Sequence, residues 1–175
     1  MPAPLEYLDH YPAHLREQVH ALIAEGRLGA VIVARYPGVH AIQSNQALYE
    51  YAMAKKREFL ASSPPLSKVG YCDKITTLNH ALGLHTHATR VQGSKLKTKN
   101  EIRVASIFKR APLEFLELLV VHELAHLRER EHDKAFYRLC CHMQPDYHQI
   151  EFDMRMWLTW KALEKRSVPR ASETP

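Results

Sequence analysis

Apolar residues recur at helical spacing near the start of the chain. Leu15, Val19, Leu22 and Ile23 share one face of the stretch 13–27, with Gly26 and Gly29 at its exit. Residues 45–62 repeat the pattern as a second helix, with Ser44 or Asn45 available as its cap and Pro64-Pro65 to end it. The period then shortens. KVGYCDKIT, HTHATRVQ and EIRVASIF are short β-leaning runs, and Gly70, Gly93 and Asn100 read as turns between them. Together they predict a small, mainly antiparallel sheet. Helical spacing returns at Pro112 in LEFLELLVVHELAHL, which is apolar on nearly every side, as a buried helix is. A shorter helix is predicted over 133–143, stopped by Pro145. A last one follows Asp146, with Ile150, Met154, Trp157, Leu158 and the stretch 160–163 as its apolar face. The order of helices, short strands and helices predicts an α+β fold, with the small sheet packed beside the buried helix. No interdomain linker interrupts residues 1–166, so one domain is expected: a helical part over 1–65 and a core over 66–166. Residues 167–175 read as a flexible tail.

Composition changes this picture little. The chain has 175 residues, 46% apolar and 25% charged, ordinary values for a globular protein that folds without disulfides. Its richest apolar run, Leu116 to Val121, includes Glu117 and falls far short of the roughly 20 residues of a membrane span. The first residues, MPAPLEYLDHYP, lack the basic and apolar regions of a secretory signal. Three Cys without regular spacing suggest reduced thiols, so a cytoplasmic location with no membrane or disulfide partner is expected. The net charge of +5 is a mild basic bias and does not identify a nucleic-acid binder. The unusual number is 12 His.

Two of these His stand in the segment His122-Glu123-Leu124-Ala125-His126. Their spacing puts them on one helix face, about 6 Å apart along the axis, from where two imidazoles reach one Zn²⁺. Glu123 is offset around the helix, where it can act as general base on a metal-bound water. An apolar helix is a costly place for two unpaired His and a Glu, which favours the ligand reading over solvated His on an exposed face. A catalytic zinc takes a third protein ligand and keeps a fourth position for water. His132 is the first candidate, and His142, His148 and Glu151 are its rivals. A continuous helix would carry His132 about 15 Å beyond His122. The helix is therefore predicted to end between Leu127 and Glu131, with Asp133 or a neighbour capping the next one. The spacing equals that of the metzincins, but Glu129 stands where their Gly permits the turn.

The segment VVHELAHLREREHDKAFYRL resembles the YgjP-like family of metallopeptidase-like domains. So do RLGAVIVARYPG, LNHALGLHTHATRVQGSKLKTKNEIRVASIF and CCHMQPDYHQIEFDMRMWLT, so the likeness extends over most of the chain. The family's T-R-x-x-G-S pattern is similar to Thr89-Arg90-Val91-Gln92-Gly93-Ser94, although Val91 stands where an aromatic residue is common. The resemblance implies zinc ligands at His122, His126 and His132, a catalytic Glu123, and kinship with SprT-type and WLM-type zinc proteases. It also implies two substrate classes: peptides by motif, and nucleoside triphosphates, UTP among them, by assignment within the family.

Lys95, Lys97 and Lys99 alternate, so a strand would carry them on one face, near Arg90 and Arg103. Such a ribbon suits a triphosphate or a nucleic-acid backbone, and equally suits a charged strand edge that resists aggregation. His85 and His87 also share a strand face. Cys140 and Cys141 read as core thiols or thiols beneath the site, and Trp157 and Trp160 as core. Tyr137 and Tyr147 carry hydroxyls that can serve an oxyanion or phosphate. Three functions follow. The first is a zinc-dependent hydrolase of metallopeptidase type, with one Zn²⁺ per chain or another divalent metal in its place. The second is a metal-dependent nucleoside triphosphate pyrophosphatase that uses the Lys/Arg ribbon. The third and weakest is a nucleic-acid-binding module with structural zinc, which would have no use for Glu123.

Overall fold

The computed structural model describes residues 5–75, 84–92 and 95–167, with side chains described at 5–75 and 100–167. The chain forms two compact units: residues 38–151, and residues 1–37 with 152–175. Of the expected tail over 167–175, Ser167 is still helical, and residues 168–175, like the expected turn at Gly93, lie outside the described residues.

The larger unit begins with a buried histidine that splices backbone to backbone. His40 Nε2 donates to the Phe108 carbonyl at 2.7 Å, while its Nδ1 accepts the Ile42 N–H at 3.0 Å. Helix α3 (Asn45–Phe59) follows, with Ser44 Oγ accepting the Ala47 N–H at 3.1 Å as its cap. Helices α1 (Ala13–Ala24) and α2 (Leu28–Arg35) precede it in the smaller unit.

Three strands form one sheet in the order β1 (Leu66–Cys72), β3 (Lys95–Ala105), β2 (Leu84–Gln92). The α+β expectation stands, with one correction: the sheet is mixed. β2 and β3 pair antiparallel, but β1 runs parallel to β3. The reason is that β3 lies between its two predecessors, so β1 and β2 pair with it from opposite sides. Gly70 and Asn100 are strand residues, not turns. Gly70 pairs with Arg103, and Asn100 pairs with Leu66 and His87. Gly70 serves close approach, since a Cβ there would stand 3.2 Å from the Asn45 side chain, whose Oδ1 accepts the Tyr71 N–H at 2.8 Å. Buried Asn100 ties the sheet to the preceding loop through Nδ2 and the Pro65 carbonyl.

Pro112 is the N-cap of α4 (Leu113–Ala125), in which every residue from Leu118 through Ala125 is buried. Glu117 interrupts its apolar surface where Lys55 of α3 pairs with it. α4 stops at its C-cap His126, and the Leu127, Arg128 and Glu129 N–H groups close a turn onto Leu124 and Ala125 carbonyls. Asp133 then caps α5 (Lys134–Met143) by accepting the Phe136 N–H at 3.0 Å. Gln144 Nε2 reaches back to the Glu114 carbonyl at 3.1 Å, fixing the end of α5 to the start of α4. The last helix, α6, covers Tyr147–Ser167.

In the smaller unit, Gly29 lies inside α2 and does not end a helix. An added Cβ there would run into the Trp160 ring. Asp153, fully buried, accepts from Arg35 Nη1 at 2.7 Å and from the Tyr36 hydroxyl at 2.6 Å. Asp153→Ala removes the acceptor of both donors and is expected to lower stability by about 1–3 kcal/mol. Thermal unfolding should show a fall of about 2–4 °C per kcal/mol lost. Arg35→Ala should lose less, because that side chain is half-exposed and screened.

Candidate metal centre

Helix α4 delivers the first two imidazoles. His122 is buried one turn before half-buried His126, which is also the cap that ends the helix. The turn that follows reverses the chain, and exposed His132 returns to the same point just before α5. The His132 Nε2 atom lies 3.1 Å from His122 Nε2 and 3.1 Å from His126 Nε2. Nitrogens this close need a shared proton or cation between them. Four ligands at zinc's usual bond length stand about 3.3 Å apart in a tetrahedron, so this donor set fits a small divalent ion.

The opposite edges of two rings are also held. His126 Nδ1 is 3.0 Å from the Glu129 carbonyl, which can only accept, so the hydrogen sits on Nδ1 and Nε2 keeps its lone pair. His122 Nδ1 is 2.7 Å from the hydroxyl of Tyr147, a fully buried residue in the first turn of α6. Burial holds that phenol well above its ordinary pKa. Beneath the three imidazoles lies buried Phe136, its ring centroid 4.9, 4.6 and 4.8 Å from those of His122, His126 and His132. Because the cap at Asp133 fixes the first turn of α5, the same turn that brings His132 back also sets this apolar floor.

Glu123 is 2% exposed, and burial alone pushes its carboxyl up to about 8. A nearby dication acts in the opposite direction and favours the ionised base. The rival ligands are elsewhere. His142 is exposed and meets Phe59 edge-on, His148 is exposed beside Tyr137, and Glu151 is not in the donor set among the described residues. Half-buried Tyr137 stands 6.4 Å from His132, ring to ring. Arg103 is half-exposed on β3, 3.8 Å from the Glu101 carboxylate. The side chains of Arg90, Lys95, Lys97 and Lys99, and those of His85 and His87, lie outside the described residues. The backbone register sets Arg90 opposite Lys97 and Lys99 opposite Ala88. Cys140 is buried, and burial pushes its thiol up to about 12. All three thiols are free. Phe136 and the Tyr147–His122 bond escaped the sequence reading; an aromatic four residues after His132 was the available signal for the first.

A family model described as "YgjP-like, metallopeptidase domain" matches residues 70–156, from β1 into the middle of α6. The UTP pyrophosphatase of Escherichia coli (strain K12) is 55% identical over 164 residues, 94% of this chain and 98% of that protein. The chain belongs to the YgjP-like family. No solved structure matches it. This YgjP-like chain is an enzyme, a hydrolase of the metallopeptidase-like kind, as the resemblance in its motifs implied. Among the described residues, no helix is long and apolar enough to cross a membrane.

Three converging nitrogens imply about one transition-metal ion per chain in elemental analysis of the purified protein. His132→Ala, which leaves two ligands, is expected to lower metal content by about an order of magnitude. Full retention would move the third ligand away from His132.

Proposed function

We propose that this chain is a metal-dependent nucleoside triphosphate pyrophosphatase, acting on UTP or a close analogue, with zinc held by His122, His126 and His132. The observation that carries the metal and the hydrolysis is the convergence of three Nε2 atoms beside a buried Glu123. The substrate class is supported by the 55% identical relative, named a UTP pyrophosphatase. Three imidazoles and an open fourth position are the donor set of a catalytic zinc. A divalent ion bound there supplies Lewis acidity and brings the pKa of its water toward about 7.

The rest falls to the chain. Glu123 takes the proton of the attacking water as general base. The water oxygen bonds to the α-phosphorus, the α–β bridge breaks, and pyrophosphate leaves with the bridging oxygen and its electron pair. Arg90, Lys95, Lys97, Lys99 and Arg103 neutralise the phosphates. The β2–β3 register supports this role, because Arg90 and Lys97, directly opposite each other, repel unless a polyanion joins them. Residues 1–166 act as one hydrolase domain in this reading. A second reading, a zinc peptidase, is favoured by the metallopeptidase description of the matching family model. There the same water attacks a peptide carbonyl, and Glu123 passes the proton to the leaving amine.

The deciding experiment incubates metal-loaded protein with UTP, other nucleoside triphosphates and unfolded protein, each beside Glu123→Gln. Release of pyrophosphate and a monophosphate by the unaltered protein alone is expected. Cleavage of the protein substrate without nucleotide turnover would replace the first reading with the second. Glu123→Gln should keep metal and melting temperature and lose at least about 10²-fold in kcat.

Changing Lys95, Lys97 and Lys99 together to Ser tests the ribbon. Each lost phosphate contact should cost about 1–3 kcal/mol, read mainly as a higher KM for UTP. A neutral peptide should be unaffected. If KM and its salt dependence stay the same while aggregation rises, the ribbon guards a strand edge.

A further inference from the structure

We propose that Tyr147 is a positioning residue of the metal centre, whose hydroxyl accepts the His122 Nδ1–H and so leaves His122 Nε2 bare for an ion. The inference deepens the reading of His122 as a ligand and rests on it. His122 and His126 sit one turn apart on the same helix, but their outer nitrogens meet different partners. His126 faces a carbonyl, which can only accept, so its tautomer has one solution. His122 faces a hydroxyl, which can donate or accept. If Tyr147 donated its hydrogen to His122 Nδ1, the ring's own hydrogen would move to Nε2, the atom that faces His132 Nε2 across 3.1 Å. No lone pair would then remain for an ion.

The convergence of the three Nε2 atoms resolves this ambivalence, since an ion held among them needs a lone pair on each. With the oxygen lone pairs facing His122, Nδ1–H donates to them and Nε2 stays bare. A phenol and an imidazole thus form one directed pair that ends at the metal position. The pair also explains a fully buried tyrosine at the start of α6, whose hydroxyl reaches the ligand. Partners of this kind typically change metal affinity by about 10–100-fold when removed.

The test strips the full-length protein of metal and measures Zn²⁺ affinity by competition with a chromophoric chelator, with Co²⁺ absorption as a spectroscopic check. Tyr147→Phe should bind Zn²⁺ about 10–100-fold more weakly and shift the Co²⁺ bands. A merely structural Tyr147 would lower the melting temperature of the stripped protein and leave Zn²⁺ affinity unchanged, and that result would overturn the proposal. Should Tyr147→Phe fail to fold, ¹⁵N NMR of the imidazoles in the stripped wild-type protein decides, since a His122 ring with its hydrogen on Nε2 overturns the proposal. Failure of the wild type itself to bind Zn²⁺ or Co²⁺ would instead remove the ligand reading on which this one stands.

Discussion

Everything at the site depends on α4 ending where it does. An α-helix rises about 1.5 Å per residue, so a helix continued through residue 132 would separate the outer histidines beyond the reach of any single ion. Termination at His126 turns that separation into a 3.1 Å approach. The terminating residue also faces the other imidazoles, and its ring bonds the Glu129 carbonyl of the turn it begins. Turn and donor set are therefore one construction, achieved without the glycine that such reversals often use. The cap at Asp133 completes it by starting α5 at once, before the chain can drift from the site.

Burial supplies the second half of the arrangement. α4 is enclosed on all sides from Leu118 onward, so His122 and Glu123 sit where water is scarce. Scarcity of water makes an unpaired polar group costly there and makes each electrostatic interaction stronger. Phe136 extends this dry environment under all three rings and limits how far any of them can rotate.

What was legible in the sequence follows from how local each cause is. The spacing of His122, Glu123 and His126 is fixed by helix periodicity alone, and the need for a turn before His132 follows from the rise per residue. The Asp133 cap was readable for the same reason. The parallel pairing of β1 with β3 was not, because it depends on a strand arriving later in the chain. Gly70 and Asn100 looked like turn residues, whereas one admits the Asn45 side chain and the other is buried in a ladder. Gly29 looked like a helix exit because its partner, Trp160, is distant in sequence. Tyr147 lies 25 positions from His122, so no local pattern joins them.

The compactness of the donor set in sequence has a thermodynamic consequence. His122 and His132 are only ten positions apart, so the unfolded chain carries all three imidazoles on a single short peptide. Such a peptide retains some affinity for divalent ions, and an ion stabilises a fold only by the difference between its binding to folded and unfolded forms. Metal supply should therefore protect this protein from denaturation less than its affinity suggests. The difference that remains comes from groups the peptide lacks, the Phe136 floor and the Tyr147 hydroxyl, which exist around the ion only after α5 and α6 have docked.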